Sequence, residues 1–457
     1  MIKLISIRLS MLLPTVLLIL VCAYMLSTNA PGDEVAIRLD LVGESSSQGI
    51  EEYERAYRSL ERDLGLTGPL FYISMVPQYH SDEIFNIVPL SDRKVARDLN
   101  KKIKNWDRVY DFYSQVKGLL IQLEGEPKYR NTRLQVSNLL KSSEISSIQP
   151  VFIHPMDTSK IASSLHELNS TINSLAFNDS FIYPTLRWNG TQNQFHHWIA
   201  RMWNGNNVSL RDGVSVRQKI LSSIAWTVSL SLLTLLLACG LSVVIAIWIH
   251  AHQDDRISKG LNGLLYLLYA IPLFWLATMA VVFLTTDDYG SWTHIFPAIG
   301  IRYWELNNGF WADITVYARQ LILPILCMVL VSLSYLSRQL AMDLKQQDSR
   351  LYSTIARAKG LDQKQLIWHH QLPNALMPFI TIITGALPRT IVGSAIIETI
   401  FNIPGVGKLL LDSIYFGDWP VIFSIIIIVG IVTIVSYALS DILYAIFYPN
   451  TSQNLLS

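Results

Sequence analysis

Residues 348–378 read DSRLYSTIARAKGLDQKQLIWHHQLPNALMP and form a basic segment between two strongly apolar ones. Leu351, Ile355 and Ala358 recur at helical spacing, which predicts a short helix with an apolar stripe. Gly360 then interrupts the pattern and suits a helix C-cap, where the backbone must adopt a left-handed conformation. The stretch is therefore expected to begin with one short helix that ends at a glycine.

A second short helix is predicted directly after this glycine. Asp362, with Gln365 three residues later, is a variant of the capping box that starts helices. Leu372-Pro373 is expected to end it, because proline disrupts a helix interior, and Asn374 begins the next apolar run. The segment also carries four cations, which are Arg350, Arg357, Lys359 and Lys364. Since cytoplasmic loops are enriched in Lys and Arg, the sequence predicts a helix-turn-helix elbow on the cytoplasmic side of a membrane.

Several stretches of the chain occur together in one known family. They are ARAKG at 356–360 followed by LP at 372–373, AIPLFWL at 270–276, GSAIIETIFNIPGVGKLLLDSI at 393–414, DWPVI at 418–422, SDILYAIFYP at 440–449 and RDGVSVRQKI at 211–220. With these motifs, the chain resembles the permease subunits of ABC importers, and most closely the B-type permease of the peptide/nickel (oligopeptide/dipeptide) branch. The resemblance covers roughly residues 1–75 and 190–450. One departure is that Ala-Arg-Ala, at 356–358, stands where the family signature has Glu-Ala-Ala, a form common in the peptide branch.

This resemblance implies an all-α membrane protein with the type I ABC importer permease fold. The elbow would be the coupling loop, or EAA loop, and would contact ATPase subunits through Ala356, Arg357, Ala358, Lys359, Gly360, Leu372 and Pro373. The implied partners are a second homologous permease, one or two ATP-binding subunits and an extracytoplasmic substrate-binding protein. The implied cargo is di- or oligopeptides, with nickel, opine or polyamine-like solutes as alternatives. The chain itself would hold no cofactor and would not be an enzyme, because the partner ATPase subunits would bind ATP and magnesium.

The composition agrees with a chain that is part membrane-embedded and part soluble. Of its 457 residues, 51% are hydrophobic and only 16% are charged, and the formal net charge is +1. A balance this close to neutral gives no indication of a nucleic-acid partner. The three cysteines lie in apolar runs and predict no disulfide framework; they are Cys22, Cys239 and Cys327.

Six apolar runs predict six transmembrane helices, at 1–28, 222–249, 261–284, 321–337, 376–397 and 421–446. A cleaved signal peptide is the alternative for the first run. The permease core is expected to cover 214–449, and the cytoplasmic coupling loop 338–373.

Residues 29–213 contain no apolar run long enough to cross a bilayer. Amphipathic patterns predict helices at 50–64, 95–123 and 161–175. The segments GLTGPLFYI at 65–73 and TQNQFHHWIARMWNG at 191–205 resemble parts of the permease family. An insert at about 74–189 therefore separates them. At roughly 115 residues, it is long enough for a small, mainly helical domain between the first and second spans.

The charges of the connecting loops predict the orientation. Lys and Arg occur at the amino end of the first span, between the second and third spans, and most densely in the elbow, whereas 285–318 is acidic and aromatic. By the positive-inside rule, both termini are expected in the cytoplasm and residues 29–213 outside. The predicted location is a bacterial cytoplasmic (inner) membrane, with membrane lipid around the spans.

Residues Pro272, Arg389 and Gly393, in predicted spans, are candidates for lining a translocation path, because kinks and intramembrane charges mark such paths. GVGKLL at 405–410 is similar to a phosphate loop but lacks the glycine and the Ser/Thr of that motif. Two other function classes are alternatives for a membrane protein of this kind. A membrane-anchored sensor would need an output domain, and only TSQNLLS follows residue 450. A secondary transporter would need an inverted repeat, which the sequence does not show.

Overall fold

The computed structural model describes residues 2–43, 49–77, 79–124, 127–141, 160–175, 183–286, 289–290, 295–296 and 310–447. Most of this length is helical. The chain forms two compact units. We call Met1–Asn29 with Val214–Ser457 the apolar unit, and Ala30–Gly213 the polar unit.

The helices are α1 Ile2–Thr28, α2 Glu34–Val42, α3 Ile50–Asp63, α4 Leu90–Ile103, α5 Trp106–Gln122, α6 Arg130–Leu139, α7 Lys160–Ser174, α8 Gln194–Asn204, α9 Val216–Ala251, α10 Arg256–Ala270, α11 Leu273–Leu284, α12 Phe310–Asp348, α13 Leu351–Ala358, α14 Gln363–Leu366, α15 Leu372–Ile400, α16 Val406–Phe416 and α17 Trp419–Phe447. The strands are β1 Ile73–Pro77 and β2 Pro184–Trp188. Short 3₁₀ helices cover Asp82–Asn86 and Pro127–Tyr129, and a π-helical turn covers Ile367–Gln371.

The polar unit has its own hydrophobic core, which α4, α5, α6 and α7 share. Helices α3 and α7 confirm the predictions at 50–64 and 161–175. The single helix predicted at 95–123 is wrong, because the chain breaks between α4 and α5. Lys104 is left-handed at the break (φ 54°), and the Asn105 side chain caps α5 by accepting a hydrogen bond from the Arg108 N–H at 3.2 Å. Asparagine is a common N-cap residue, so Asn105 indicates a helix start. The apolar periodicity that continues across this position concealed that start.

A buried ion pair joins the start of the polar unit to its helical core. The guanidinium of Arg93 on α4 makes two bonds to the carboxylate of Glu61 on α3, at 2.6 and 2.8 Å. Arg93 also donates to the carbonyl oxygens of Ile87 and Phe85 at 2.9 and 3.0 Å. Both charged side chains are almost fully buried. The pair therefore fixes α3 against α4 and satisfies carbonyls of the intervening loop.

A two-stranded antiparallel ribbon lies at the two ends of the predicted insert, with β1 at its beginning and β2 at its end. Ser74 of β1 lies opposite Arg187 of β2, and the Asn189 N–H donates to the Tyr72 carbonyl at 2.7 Å. Residues that are more than a hundred positions apart in sequence are thus neighbours at the base of the segment. One face of the ribbon is wholly apolar, with the pairs Ile73–Trp188, Met75–Leu186 and Pro77–Pro184.

Helix α9 is the axis of the apolar unit. Its first residues pack with α16 and α17, its middle with α11, α12 and the end of α15, and its last third with the end of α12 and the start of α15. This sequence of contacts means that α9 and α12 run in the same direction and α15 runs opposite to them. The carboxyl ends of α9 and α12 therefore meet the amino end of α15.

Three described helical segments are long and apolar enough to cross a membrane, Val216–Ala251, Gln320–Asp348 and Trp419–Ser440. The third predicted span, 261–284, is not one continuous helix, since α10 and α11 differ in direction by 97°. Ile271 adopts an extended conformation before Pro272, as residues preceding proline do, and this breaks the helix. If α10 and α11 form one broken span, the described residues contain four candidates; Leu12–Thr28 of α1 is a shorter apolar stretch.

We expect Glu61→Ala to destabilise the polar unit by about 3–5 kcal/mol, because it leaves the buried Arg93 guanidinium without its counter-charge. The measurement is hydrogen–deuterium exchange of the α3 and α4 amides in the full chain. Asp82→Ala is the matched control, since Asp82 pairs with Arg187 on the surface, where both side chains are more than half exposed. Equal amide protection in wild type and Glu61→Ala would contradict a stabilising role for the buried pair.

Candidate functional site

The predicted elbow is present, and its first helix ends as the sequence indicates. Gly360 has φ +83°. Its N–H donates to the Arg357 carbonyl at 2.9 Å, and the Leu361 N–H donates to the Ala356 carbonyl at 3.2 Å. This pair of bonds is the Schellman motif, in which a left-handed residue closes a helix. Helix α13 therefore stops at a turn that disfavours residues with a Cβ.

The second half of the elbow differs from the prediction. Asp362 precedes α14 as its N-cap residue, but its side chain makes no capping hydrogen bond, so the predicted capping box is wrong. Leu372-Pro373 does not end the helix either. The chain instead passes from α14 through the π turn Ile367–Gln371 directly into α15. A proline inside a helix lacks a donor and crowds the carbonyl one turn earlier. The wider π turn immediately before Pro373 relieves this crowding, so the elbow continues into the helix without a break.

The side-chain amide of Gln371 lies at the centre of a buried polar network. Its nitrogen donates to Oδ1 of Asp348 at 2.8 Å and to Oγ of Ser353 at 3.3 Å. Its oxygen lies 3.2 Å from Nε2 of His250. Gln371, Ser353 and His250 are all buried. The amide therefore uses both donors and an acceptor lone pair, and it links α9, α12, α13 and the beginning of α15.

The remaining members complete this network. Nε2 of His250 is 3.5 Å from Oδ2 of Asp348, and Nδ1 lies 3.0 Å from the amide nitrogen of Gln253. An amide nitrogen can only donate, so Nδ1 accepts and Nε2 carries the hydrogen toward Gln371 and Asp348. Arg357 donates to Asp348 from α13, and the Ser353 hydroxyl donates to the Gln347 carbonyl at 2.8 Å. We call His250, Asp348, Ser353, Arg357 and Gln371 the elbow anchor.

The outer side of α13 carries the predicted apolar stripe. Leu351 and Ile355 are 75% and 46% exposed, and Ala358 is also exposed. Ala356 is buried, whereas Arg357, Lys359 and Gly360 are exposed at the turn. Helix α13 thus faces its own chain with Ser353 and Ala356 and presents an apolar stripe with basic neighbours on its other side.

The remaining predicted residues are the last two of the elbow, Leu372 and Pro373, and three that are separate from it, Pro272, Arg389 and Gly393. Leu372 is buried and Pro373 exposed at the start of α15. Pro272 lies at the break between α10 and α11. The side chain of Arg389 and the surroundings of Gly393 lie outside the described residues, although the backbone of both belongs to α15. Their role in a translocation path stays a prediction.

A second buried anchor occurs at the opposite end of α9 and α15. Glu398, the first residue after the predicted span 376–397, is fully buried in α15. Its carboxylate accepts from Thr227 at 2.7 Å, from Ser394 at 2.8 Å and from the Lys408 N–H at 2.9 Å. The Thr227 hydroxyl also accepts from the Val406 N–H at 2.8 Å. This end anchor therefore ties α9, α15 and α16 together.

Glycines make the end anchor possible. A β-carbon at Gly405 would overlap the carboxyl group of Glu398, and one at Gly407 would overlap Ala395. The turn before α16 can therefore approach α15 only without side chains at these positions. Sequence reasoning missed Glu398 as an anchor. The available signal was an acidic residue in an otherwise apolar run, followed by the glycine-rich stretch PGVG at 404–407.

Comparison with known proteins assigns the chain to a family. The model of the family described as binding-protein-dependent transport system inner membrane component matches residues 240–453. The oligopeptide transport system permease protein AppB of Bacillus subtilis is 30% identical over 258 residues, which cover 56% of this chain and 79% of that protein.

Two further relatives agree. The probable peptide ABC transporter permease protein y4tP of Sinorhizobium fredii is 27% identical over 260 residues, covering 56% of this chain and 79% of that protein. The di/tripeptide transport system permease protein DppB of Pseudomonas aeruginosa is 26% identical over 270 residues, with the same shares covered. The chain belongs to the binding-protein-dependent transport system inner membrane components, the permease subunits of ABC importers.

Proposed function

We propose that this permease imports peptides and that separate ATPase subunits drive it by docking on the elbow. The observation that carries the proposal is the two-sided geometry of α13. Its exposed side offers Leu351 and Ile355 to a partner, while its buried side joins the elbow anchor through Ser353. A contact made on one side is therefore connected mechanically to the helices on the other.

The elbow would act as a lever. His250 and Asp348 belong to the long helices α9 and α12, and Gln371 ends the π turn that leads directly into α15. Ser353 and Arg357 belong to α13. Because polar contacts in a buried site are costly to break, a displacement of α13 would move the ends of α9, α12 and α15 together. Closure of the ATPase subunits around ATP would supply that displacement. ATP and magnesium are bound by those subunits and not by this chain.

The peptide cargo is proposed from the relatives, whose names give oligopeptide and di/tripeptide transport. The translocation path would lie between this chain and a second homologous permease, so this chain forms half of it. Pro272, Arg389 and Gly393 are the candidates on this half. The alternative cargo is nickel or an opine or polyamine-like solute, carried by the same machinery.

The proposed setting is a bacterial inner membrane crossed six times, with both termini and the elbow in the cytoplasm. The basic residues around the elbow support this orientation. The polar unit, including the insert at about 74–189, would then lie outside. A substrate-binding protein would deliver the cargo on that side.

We expect the assembled complex, purified through this chain, to contain a second permease and one or two ATPase subunits. Leu351→Asp should lower the recovered ATPase by about tenfold or more, because burying a leucine contributes about 1.5–3 kcal/mol and a buried carboxylate adds a cost. Quantitative mass spectrometry of the purified material measures this. Ile257→Asp is the matched control, since Ile257 is 74% exposed on α10. Undiminished ATPase in Leu351→Asp would refute docking on α13, and recovery of this chain alone would refute the importer.

Gly360→Val should uncouple transport, since a β-branched residue at φ +83° is strained and the Schellman turn would be lost. Gly360→Asn is the matched control, because asparagine tolerates the left-handed conformation. We expect ATP-driven uptake of a radiolabelled tripeptide to fall at least fivefold in the valine variant and to stay near wild type in the asparagine variant. Excess unlabelled peptide should compete with this uptake, and nickel should not. Full uptake by Gly360→Val would contradict the assignment of the turn.

Gln371→Met should also impair coupling, because it preserves size but removes the amide that contacts the buried side chains of His250 and Ser353. An unsatisfied buried polar group costs about 1–3 kcal/mol, and about 1.4 kcal/mol corresponds to a tenfold change in rate. We therefore expect roughly tenfold slower peptide uptake per ATP hydrolysed, with unchanged membrane insertion. Gln365→Met makes the same change at an exposed position of α14 and should have no effect. Equal coupling ratios in the two variants would show that the elbow anchor does not transmit movement.

A further inference from the structure

An open pocket that the transport mechanism does not use lies between the end of α9, the first half of α10 and the last third of α12. Its volume is about 380 Å³. Among the described residues, three cations line it, Lys259, Arg338 and Lys345, and Asp254 is the one acidic lining residue. Polar groups between the cations come from Ser258 and Asn262. The pocket therefore has an excess of positive charge and hydrogen-bond donors.

Arg338, the lining cation nearest the middle of α12, is held in place by aromatic rings. The guanidinium carbon of Arg338 is 3.6 Å from the ring centre of Tyr266 and 5.1 Å from that of Tyr269. Tyr269 in turn stacks on Tyr335, with ring centres 6.1 Å apart. A cation–π contact fixes a guanidinium by its flat face and leaves its N–H groups at the edge available. Arg338 is thus oriented for an anionic ligand before that ligand arrives.

Carboxylates do not neutralise these cations. Among the residues that the structure describes, no ion pair involves Lys259, Arg338 or Lys345. Asp254 is exposed at the edge of the pocket. Two positive charges consequently remain in excess, and an anion with several acceptor oxygens is the complementary ligand.

The surroundings of the pocket distinguish a lipid from a soluble anion. Met342 lines the pocket and is half exposed, and Leu264 and Leu267 project outward from α10 beside Tyr266. An acyl chain would cover these apolar side chains, whereas a free phosphate would leave them bare. Arg338 is also the first residue beyond the predicted span 321–337, at the depth where headgroups lie. Basic pockets between transmembrane helices at this level suit anionic headgroups.

We infer that this pocket binds the headgroup of an anionic glycerophospholipid, with the phosphate against Arg338, Lys259 and Lys345. The inference rests on the proposed function in one respect, the orientation that places this end of α9 and α12 in the cytoplasmic leaflet. His250 of the elbow anchor also lines the pocket. A bound lipid therefore stabilises the arrangement of α9 and α12 from which the elbow is held.

The test is native mass spectrometry of the assembled complex after delipidation and titration with phosphatidylglycerol or phosphatidylcholine of the same chain length. Wild type should retain phosphatidylglycerol with at least tenfold preference. Lys259→Gln with Lys345→Gln should reduce that preference by about tenfold or more, since each cation near a membrane surface contributes about a factor of five. This double variant leaves Arg338 and its tyrosines intact, so that a loss of binding is not a loss of folding. Arg256→Gln with Lys364→Gln removes the same charge outside the pocket and should have no effect.

Equal retention of both lipids, or equal losses in the two double variants, would overturn the inference. Displacement of phosphatidylglycerol by millimolar glycerol 3-phosphate would also overturn it and would assign the pocket to a soluble anion. The same spectra report the subunits present. If the complex contains no ATPase but binds lipid through the two lysines, the result counts against the proposed function and not against the pocket. If ATPase is present but lipid binding does not depend on the lysines, the result counts against the pocket alone.

Discussion

The buried amide of Gln371 is the contact on which one end of the apolar unit depends. It lies where the chain passes from a π turn into α15, and it reaches Asp348, Ser353 and His250 from there. Ser353 and His250 are buried, so each would carry a desolvation cost if the amide were removed. The π turn contributes to these contacts, because it lets the helix continue past Pro373. It thereby places the Gln371 side chain where it can contact α9 and α12.

A matching constraint acts at the other end of the same helices. Thr227 of α9 donates to Glu398 of α15, while His250 of α9 contacts Gln371 at the end of the π turn that leads into α15. Twenty-odd residues of helix separate the two contacts, about 35–40 Å at 1.5 Å per residue. Helices joined by buried polar contacts at both ends, with apolar side chains packed between them, cannot slide past each other without breaking one contact. We therefore treat α9 and α15 as one rigid element, through which a movement of the elbow would reach the turn before α16.

Much of this arrangement could be read from the sequence, because apolar periodicity and glycine chemistry act locally. The elbow, the left-handed Gly360 and the apolar stripe at Leu351 and Ile355 follow from neighbouring residues. The anchors do not, since His250 and Gln371, or Thr227 and Glu398, are more than a hundred residues apart and meet only after the helices pack. Local rules also failed where two of them competed. Pro373 predicted a helix end, which the π turn avoids, and apolar spacing across 95–123 concealed the cap at Asn105.

The ribbon explains how so large a polar segment can interrupt a permease. Because Ile73 pairs with Trp188, the chain leaves and re-enters the flanking segments at adjacent points. Backbone hydrogen bonds continue the pairing beyond the strands, with the N–H groups of Asn189 and Gln194 donating to the carbonyls of Tyr72 and Pro69. A segment whose two ends are held side by side adds little conformational constraint to the chain before and after it. The chain between β1 and β2 can therefore change while the flanking segments 65–73 and 191–205 of the polar unit stay side by side. The exposed apolar face of the ribbon, with Ile73, Met75, Leu186 and Trp188, lies where these two strands pair.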